Sequence, residues 1–451
     1  MPVCLRVSLA ILALMPSRCW ALDDGLALTP PRGWRSWNFM ELDVTQDKIL
    51  AQAAAMARSY PDLGPSLLEL NYTEVGIDDG WQKCGAGVNG TFHNESGWPI
   101  WNVSRFSDPK AMVDEARKKY GVGLGWYGNN CFCAETEGHP WPYDKGGHTH
   151  QDAETAAAIG FTGIKIDGCG PVLNMTQWTA DLKLAGNTDM VIEDCLNKDF
   201  WYRGLSPPLP DQELLRECPS HFYRVSRDVA PDFYSTMFNI NFMTILLAPY
   251  YDDPTAAPRP GCWSYPDMLE VGVQPMSLLE SRTHFAAWCV LSAPLVLGFD
   301  LTNESLYREV YPIIANAGAL EVSATWAGNS GRLVKNSTES LVHVARIGAD
   351  NRVPMPYPNQ TFAAWQIWAK PMRDDHTRWA VLLVNVGLEE RDIPLTYADV
   401  SPALGDDVAA TDVWTGRGVE VAQRATTFKA VAPHDSVFLF LERGRETWAW
   451  A

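Results

Sequence analysis

The chain predicts an α/β fold, a (β/α)8 barrel over residues 22–324 followed by an antiparallel β-sandwich over residues 325–451, and three observations support this. From residue 32 to about residue 300 a short apolar run, a polar or acidic residue closing it and a longer helix-like stretch recur in turn. Eight such units can be counted, the number that closes a barrel. Beyond about residue 325 the rhythm changes to short alternating segments between Gly, Pro and Asp turns. With 451 residues, 46% of them hydrophobic and 20% charged, the chain has core enough for a large domain and a smaller one.

The eight candidate strands are Gly33–Asn38, Tyr72–Asp79, Val122–Tyr127, Gly163–Asp167, Met190–Asp194, Phe222–Asp228, Tyr265–Leu269 and Pro294–Asp300. Between them Lys48–Arg58, Pro109–Lys119 and Ala153–Ala158 read as surface helices, each with a polar face. In the sandwich, Leu341–Ala345, Trp379–Asn385 and Ser436–Leu441 alternate with period two. No linker separates the two parts, so the sandwich is expected to pack on the barrel. Barrels of this type build their sites at the C-terminal ends of the strands, and the acids closing these runs should therefore meet at one mouth.

Residues 1–21 have the order of a secretory signal: Arg6, an apolar run from Val7 to Met15, then Ser17 to Ala21, with cleavage expected after Ala21. The run is too short to span a bilayer. Eight Asn-x-Ser/Thr sites follow, at Asn71, Asn89, Asn94, Asn102, Asn174, Asn303, Asn336 and Asn359, and suit a glycoprotein of the secretory pathway, extracellular or in a lysosome or vacuole. Past the signal the chain has Cys84, Cys131, Cys133, Cys169, Cys195, Cys218, Cys262 and Cys289, an even number that permits disulfides, with Cys289 placed as a buried thiol in the apolar stretch Phe285–Leu297. Their spacing matches no zinc pattern. A net charge of −18 argues against nucleic acid and anionic membranes and favours a neutral partner. The 19 tryptophans are flat apolar faces suited to sugar rings, although most such residues serve in cores.

Chemistry concentrates at the strand ends. In Lys165-Ile166-Asp167 the strand period puts the lysine and the aspartate on one face, and the ammonium is expected to lower the pKa of Asp167 and favour its carboxylate. Asp228 closes a later strand four residues after Arg224. Glycoside hydrolysis needs two such carboxyl groups in different surroundings, one ionised to attack the anomeric carbon and one protonated to release the leaving group. Asp78 and Asp79 end a buried strand side by side, and both can serve one site only if the strand turns there. Trp34, Trp37 and Trp81 are placed as apolar walls beside them.

These residues lie in ordered motifs: Thr29–Asn38, Ile77–Trp81, Lys165–Cys169, Arg224–Asp228, Trp263–Leu269 and Ala293–Leu295. From Thr29 to the C-terminus the chain resembles glycoside hydrolase family 27, the α-galactosidase and α-N-acetylgalactosaminidase family. The resemblance implies a retaining mechanism with Asp167 as nucleophile and Asp228 as acid and then base, and carboxyl groups about 5–5.5 Å apart. It implies sugar contacts from Trp37, Asp78, Asp79, Tyr127, Lys165, Arg224 and Asp267, with Asp78 and Asp79 on the 4- and 6-hydroxyls. It further implies that Cys169 pairs with Cys133 or Cys131 and Cys195 with Cys218, that no metal or cofactor takes part, and that the partner is a small carbohydrate or glycoconjugate. A homodimer is compatible with it.

Three departures bear on function. The family's disulfide between the paired aspartates and the segment after the first strand is absent as a unit, with Gly80 and a Cys-free Phe39–Val44 in its place. The family's Trp-Asn-Asp-Pro-Asp is here Trp263-Ser264-Tyr265-Pro266-Asp267. The loop that discriminates a 2-hydroxyl from a 2-acetamido group reads Cys195-Leu196-Asn197-Lys198-Asp199, without the small residues a larger sugar needs, and tilts the expectation to galactose. The expected activity is exo-acting α-galactosidase; α-N-acetylgalactosaminidase or another pyranosidase is the rival within the class, and a catalytically silent sugar-binding barrel the rival outside it. The set Asp167, Lys165, Arg224 and Asp228 argues against the silent barrel.

Overall fold

The computed structural model describes residues 22, 24–131, 133, 147–195, 218–251, 253, 256, 258–343 and 360–444. The expected signal over 1–21, Leu196–Asp199, the end of the expected strand Leu341–Ala345 and Asn359 lie outside the described residues.

Eight parallel strands form the barrel: β1 (Arg32–Arg35), β2 (Glu74–Gly76), β3 (Gly123–Gly128), β4 (Gly163–Asp167), β5 (Val191–Cys195), β6 (Phe222–Arg224), β7 (Trp263–Tyr265) and β8 (Leu295–Leu297). They are ordered β7-β6-β5-β4-β3-β2-β1-β8, and the two ends meet where the Leu269 N–H donates to the Val296 carbonyl at 2.7 Å. Several strands are shorter than the apolar runs that predict them. The runs to Asp79, Asp228 and Asp300 leave the sheet at Gly76, Arg224 and Leu297, because their last residues turn into the loops of the mouth. Gly80 (φ +106°) lets the chain turn directly after Asp79, where a Cβ would lie 3.0 Å from the Leu42 carbonyl and 3.3 Å from Val44.

Among the described residues the outer layer is built from α1 (Trp37–Met40), α2 (Gln46–Met56), α3 (Pro109–Glu115), α4 (Thr149–Ile159), α5 (Met175–Leu184), α6 (Phe233–Leu247), α7 (Leu278–Val290), α8 (Glu304–Ile314) and α9 (Ala317–Ala324). Their starts are set by caps that satisfy the first free N–H groups. Thr45 accepts from Lys48 N–H at α2, and Ser277 and Glu280 form a reciprocal capping box at α7. The expected helix Pro109–Lys119 is α3 followed by a wider turn over Ala116–Tyr120, ended by left-handed Gly121.

The C-terminal part has a six-stranded antiparallel sheet ordered β16-β15-β18-β13-β12-β9 and two two-stranded sheets, β14–β17 and β10–β11. Here β9 is Arg332–Asn336, β10 Ser340–His343, β11 Gln360–Ala363, β12 Trp365–Pro371, β13 Arg378–Asn385, β14 Arg391–Thr396, β15 Val408–Asp412, β16 Gly418–Val419, β17 Ala425–Val431 and β18 Ser436–Arg443. The strand period divides the central strands. Trp368, Leu382, Val384, Phe438 and Phe440 join the barrel core, while Ile367, Val381, Leu383, Leu439 and Leu441 pack with Ile393 and Leu395 of the second layer. Both faces of the central strands are therefore buried, and the two parts share one apolar seam. Across it Arg282 pairs with Asp435 at 2.7 Å and Thr283 Oγ1 donates to the His434 carbonyl at 3.0 Å. No helix among the described residues is long and apolar enough to cross a membrane.

Candidate active site

The mouth is built from the ends of β2 to β7. On β4, Lys165 and Asp167 share the inward face. Lys165 is 7% exposed and its Nζ donates to Asp78 Oδ2 at 2.9 Å. Burial works against this ammonium, but the Asp78 carboxylate beside it, with Asp167 and Glu193, more than offsets that and raises its pKa. Tyr127 on β3 donates its hydroxyl to Asp167 Oδ2 at 2.7 Å, and Asn129 donates its side-chain amide to the Asp167 backbone carbonyl. The carboxyl is thus aimed by a hydrogen bond and anchored through its own backbone. Its pKa departs from expectation: burial lifts Asp167 above the usual carboxylate range, and Lys165, Arg224 and the Tyr127 hydroxyl only moderate the rise.

Asp78 and Asp79 are both buried, 2% and 1% exposed, because the chain turns straight after β2. Asp78 Oδ1 accepts from Asp79 N–H at 2.8 Å, and Asp79 Oδ1 accepts from Gly80 N–H at 2.9 Å and from the Gln82 amide. On the opposite side Arg224, the last residue of β6, pairs with Asp228 at 2.6 Å and lies 3.6 Å from Asp267. Arg224 holds the Asp228 carboxyl below its usual range, although the Asp228 side chain is 64% exposed and water screens the pair. Asp267 is in a different position. Burial pushes it up to about 6, even though it accepts backbone N–H groups from Val229 at 2.8 Å and Met268 at 2.7 Å. The two carboxyls share one guanidinium and differ in acidity because one is open to water and the other is not.

Trp37 is half-buried at the rim. Trp34 and Trp81, expected as walls, are each 1% exposed, and their indole N–H groups donate to the Phe299 and Tyr127 carbonyls. They are scaffold rather than lining, since their donors are already spent inside the core.

Sequence reasoning missed the layer below the mouth. Arg35 on β1 pairs with Glu193 on β5 at 2.7 Å, both nearly fully buried, and Glu193 also accepts the Tyr265 hydroxyl. Glu74, another barrel-interior acid, is lifted by burial to about 7. A charged residue within each of three apolar strand runs was the signal available. Tyr265 belongs to the altered stretch Trp263–Asp267, so that departure supplies the hydroxyl that closes this layer.

Of the cysteine expectations, Cys131 as the partner of Cys169 and Cys289 as a buried thiol hold, and the pairing of Cys195 with Cys218 needs correction. Cys131 pairs with Cys169, Cys84 with Cys133 and Cys218 with Cys262, and Cys195 is a buried free thiol, as is Cys289. Cys133 is therefore not the partner of Cys169, and Cys195 is not the partner of Cys218. The reason is topological. Cys195 ends β5 at the mouth, whereas Cys218 and Cys262 precede β6 and β7 at the opposite end of the barrel. At about 3.3 Å per strand residue the two ends are farther apart than the roughly 7 Å a disulfide can bridge. Joined in a disulfide, Cys131 and Cys169 offer no thiolate, and no other group of three His, Cys, Asp or Glu side chains among the described residues is close enough to hold a cation.

The chain matches two family models, "Alpha galactosidase A" over residues 29–321 and "Alpha galactosidase C-terminal beta sandwich domain" over residues 363–441. It is 26% identical over 405 residues to an alpha-galactosidase of Cyamopsis tetragonoloba, covering 88% of this chain and 82% of that one. A probable alpha-galactosidase of Dictyostelium discoideum is 25% identical over 428 residues, covering 93% and 94% of the two chains. Among solved structures, alpha-galactosidase I from Mortierella vinacea superposes with a TM-score of 0.71 at 23% identity, covering 93% of this chain and 98% of that one. A GH27 β-L-arabinopyranosidase from Geobacillus stearothermophilus gives 0.68 at 16% identity, with coverage of 93% and 98%. The first model alone spans more than half of the sequence, and the chain belongs to the alpha galactosidase A family.

Proposed function

We propose that this protein is a retaining exo-α-galactosidase that releases terminal α-linked galactose from oligosaccharides or glycoconjugates. The observation that carries the reading is Asp167: a carboxyl held by the Tyr127 hydroxyl at 2.7 Å, beside the Lys165 ammonium, in a mouth that also contains the Arg224–Asp228 pair. Asp167 attacks the anomeric carbon as the bond to the leaving oxygen breaks, and Asp228 gives that oxygen its proton. Asp228 then takes a proton from the water that cleaves the glycosyl ester, which restores both carboxyls.

Asp78, Asp79, Lys165, Tyr127, Arg224, Asp267 and the Trp37 ring supply the sugar contacts. Buried carboxylates accept strongly from ring hydroxyls, and Asp78 and Asp79 take the 4- and 6-hydroxyls. Burial pushes Asp267 up to about 6, so below that pH it sits beside Arg224 without a charge and leaves the guanidinium to Asp228. The three disulfides suit an oxidising compartment, and we read the protein as secreted, extracellular or vacuolar.

The test is hydrolysis of p-nitrophenyl α-galactoside against its N-acetyl analogue, an α-glucoside and a β-L-arabinoside, in wild type and Asp167→Ala. Turnover of the galactoside that is lost in the variant supports the reading. Turnover of the arabinoside or glucoside alone, or an unchanged variant, overturns it.

A further inference from the structure

The Cys131–Cys169 disulfide differs in place from the other two. Both of its cysteines are half-exposed at the mouth, whereas Cys133 is fully buried and Cys218 and Cys262 are each 1% exposed at the far end of the barrel. It also touches the site directly. Cys131 Sγ, Cys169 Sγ and a carboxylate oxygen of Asp167 all lie within 4.8 Å of one another. The Tyr127 hydroxyl bridges them, 3.3 Å from Cys131 Sγ and 2.7 Å from Asp167 Oδ2.

We propose that reduction of this disulfide converts the mouth into a binding site for a soft divalent cation, with Cys131, Cys169 and Asp167 as its three ligands, and that the bound cation occupies Asp167 and stops catalysis. A phosphine reductant accounts for the electrons. It gives two electrons to the S–S bond and becomes a phosphine oxide with the oxygen of one water, whose two hydrogens end on the two sulfurs. Cation binding then releases both thiol protons to solvent.

The geometry suits such an ion. Zinc–sulfur bonds of about 2.3 Å set two sulfurs on one tetrahedral centre roughly 3.8 Å apart, within the spread of the cluster, and Asp167 supplies the third ligand with one position left for water. Two thiolates make the set selective for zinc or cadmium over magnesium or calcium. Lys165 and Arg224 are the opposing charges that act on Asp167, and both are already paired, Lys165 with Asp78 at 2.9 Å and Arg224 with Asp228 at 2.6 Å. Three negative ligands outweigh them. The Tyr127 hydroxyl donates to both Cys131 Sγ and Asp167 Oδ2, so a cation that takes these acceptors displaces the hydrogen bond that aims Asp167.

The inhibition rests on the galactosidase reading, but the metal site does not, and two readouts separate them. Native enzyme is treated with a limiting phosphine, the reduced cysteines are mapped by alkylation, and Cd²⁺ is added while the ultraviolet thiolate-to-cadmium band and galactoside hydrolysis are followed. The expected result is a two-thiolate band in reduced but not untreated enzyme, with hydrolysis about tenfold lower at cadmium ten times its dissociation constant. A Cys131→Ser/Cys169→Ser double variant, reduced in the same way, should show neither the band nor the metal-dependent loss. The proposal is overturned if the band persists in the double variant, which would put the ligands at Cys195 or elsewhere. It is equally overturned if wild type with Cys131 and Cys169 mapped as free thiols shows no band, or binds cadmium with hydrolysis unchanged. A band without any galactoside hydrolysis by the untreated enzyme sinks the galactosidase reading alone.

Discussion

Among the described residues two lysines are buried, Lys165 and Lys370, and their surroundings set them apart. Lys165, in the barrel mouth, faces carboxylates: Asp78 at 2.9 Å, with Asp167 and Glu193 near. Lys370, on β12 at the seam, is fully buried and donates to the Val322 and Ser323 carbonyls, the last of α9. Both lose hydration, but only Lys165 gains opposite charge in return. Its pKa is raised, while burial drives that of Lys370 down to about 7. A buried cation with carboxylate partners can work on a bound ligand. A buried cation with only carbonyl partners caps a helix and holds two domains together.

The sharpest way to break this contrast is at the acid that Lys165 serves. Asp167→Asn should fold normally and lose at least about 10³-fold in kcat, because an amide cannot form the glycosyl ester. Equal turnover of variant and wild type in a steady-state assay would remove Asp167 from the chemistry. Lys165→Met should lower kcat/KM by about 10²-fold and cost about 3 kcal/mol in denaturant unfolding, since Asp78 is left as an unpaired buried charge. A variant that loses stability but keeps its kinetics would make Lys165 a scaffold residue like Lys370.

Lys370→Met should leave kcat and KM as they are and act on the seam. The native state holds Lys370 at about 7, below the usual 10.5, so the unfolded chain binds more protons between those values and wild-type stability rises with pH across that window. Below pH 7 the full cost of the buried ammonium is present. Near pH 9 the variant, with two carbonyls left without a donor, should be less stable by about 1–3 kcal/mol, and the gap should narrow as pH falls. Parallel melting curves across pH would refute the assignment. The smallest effect expected is at Asp267. Asp267→Asn removes the negative charge that competes for Arg224, so Asp228 loses its proton more readily and the alkaline limb of kcat/KM moves down by about half to one pH unit. An upward shift would contradict the shared pair.

The contrast also shows what a sequence discloses. Lys165 and Asp167 were legible because a strand has a two-residue period, and two charged residues that far apart must share a face. The strands were legible from their apolar runs, except that the seventh runs Trp263–Tyr265 and not Tyr265–Leu269, and the packed sandwich was legible from its alternation. Lys370 sits in a strand whose neighbours are Ala369 and Pro371, and nothing local says that its partners are carbonyls 47 and 48 residues away. The Arg35–Glu193–Tyr265 layer joins three strands that are distant in sequence, and only barrel closure brings them together. Cys169 found its partner in Cys131, one of its two expected alternatives, but the Cys195–Cys218 pairing failed for the same reason: six bridged cysteines allow 15 connectivities, and the choice is made by which end of the barrel each one occupies. Even the pKa of Asp167 went the other way, because spacing reveals the neighbouring ammonium but not the depth of burial that outweighs it.

The central claim is that Asp167 forms a covalent bond to the sugar. It is tested most directly by incubating the enzyme with an activated 2-deoxy-2-fluoro α-galactoside and mapping the labelled peptide by mass spectrometry. A single fluorosugar esterified to Asp167, absent from Asp167→Ala, is the predicted result. A label on Asp228, Asp267 or any other residue, or its persistence in the variant, would contradict the account.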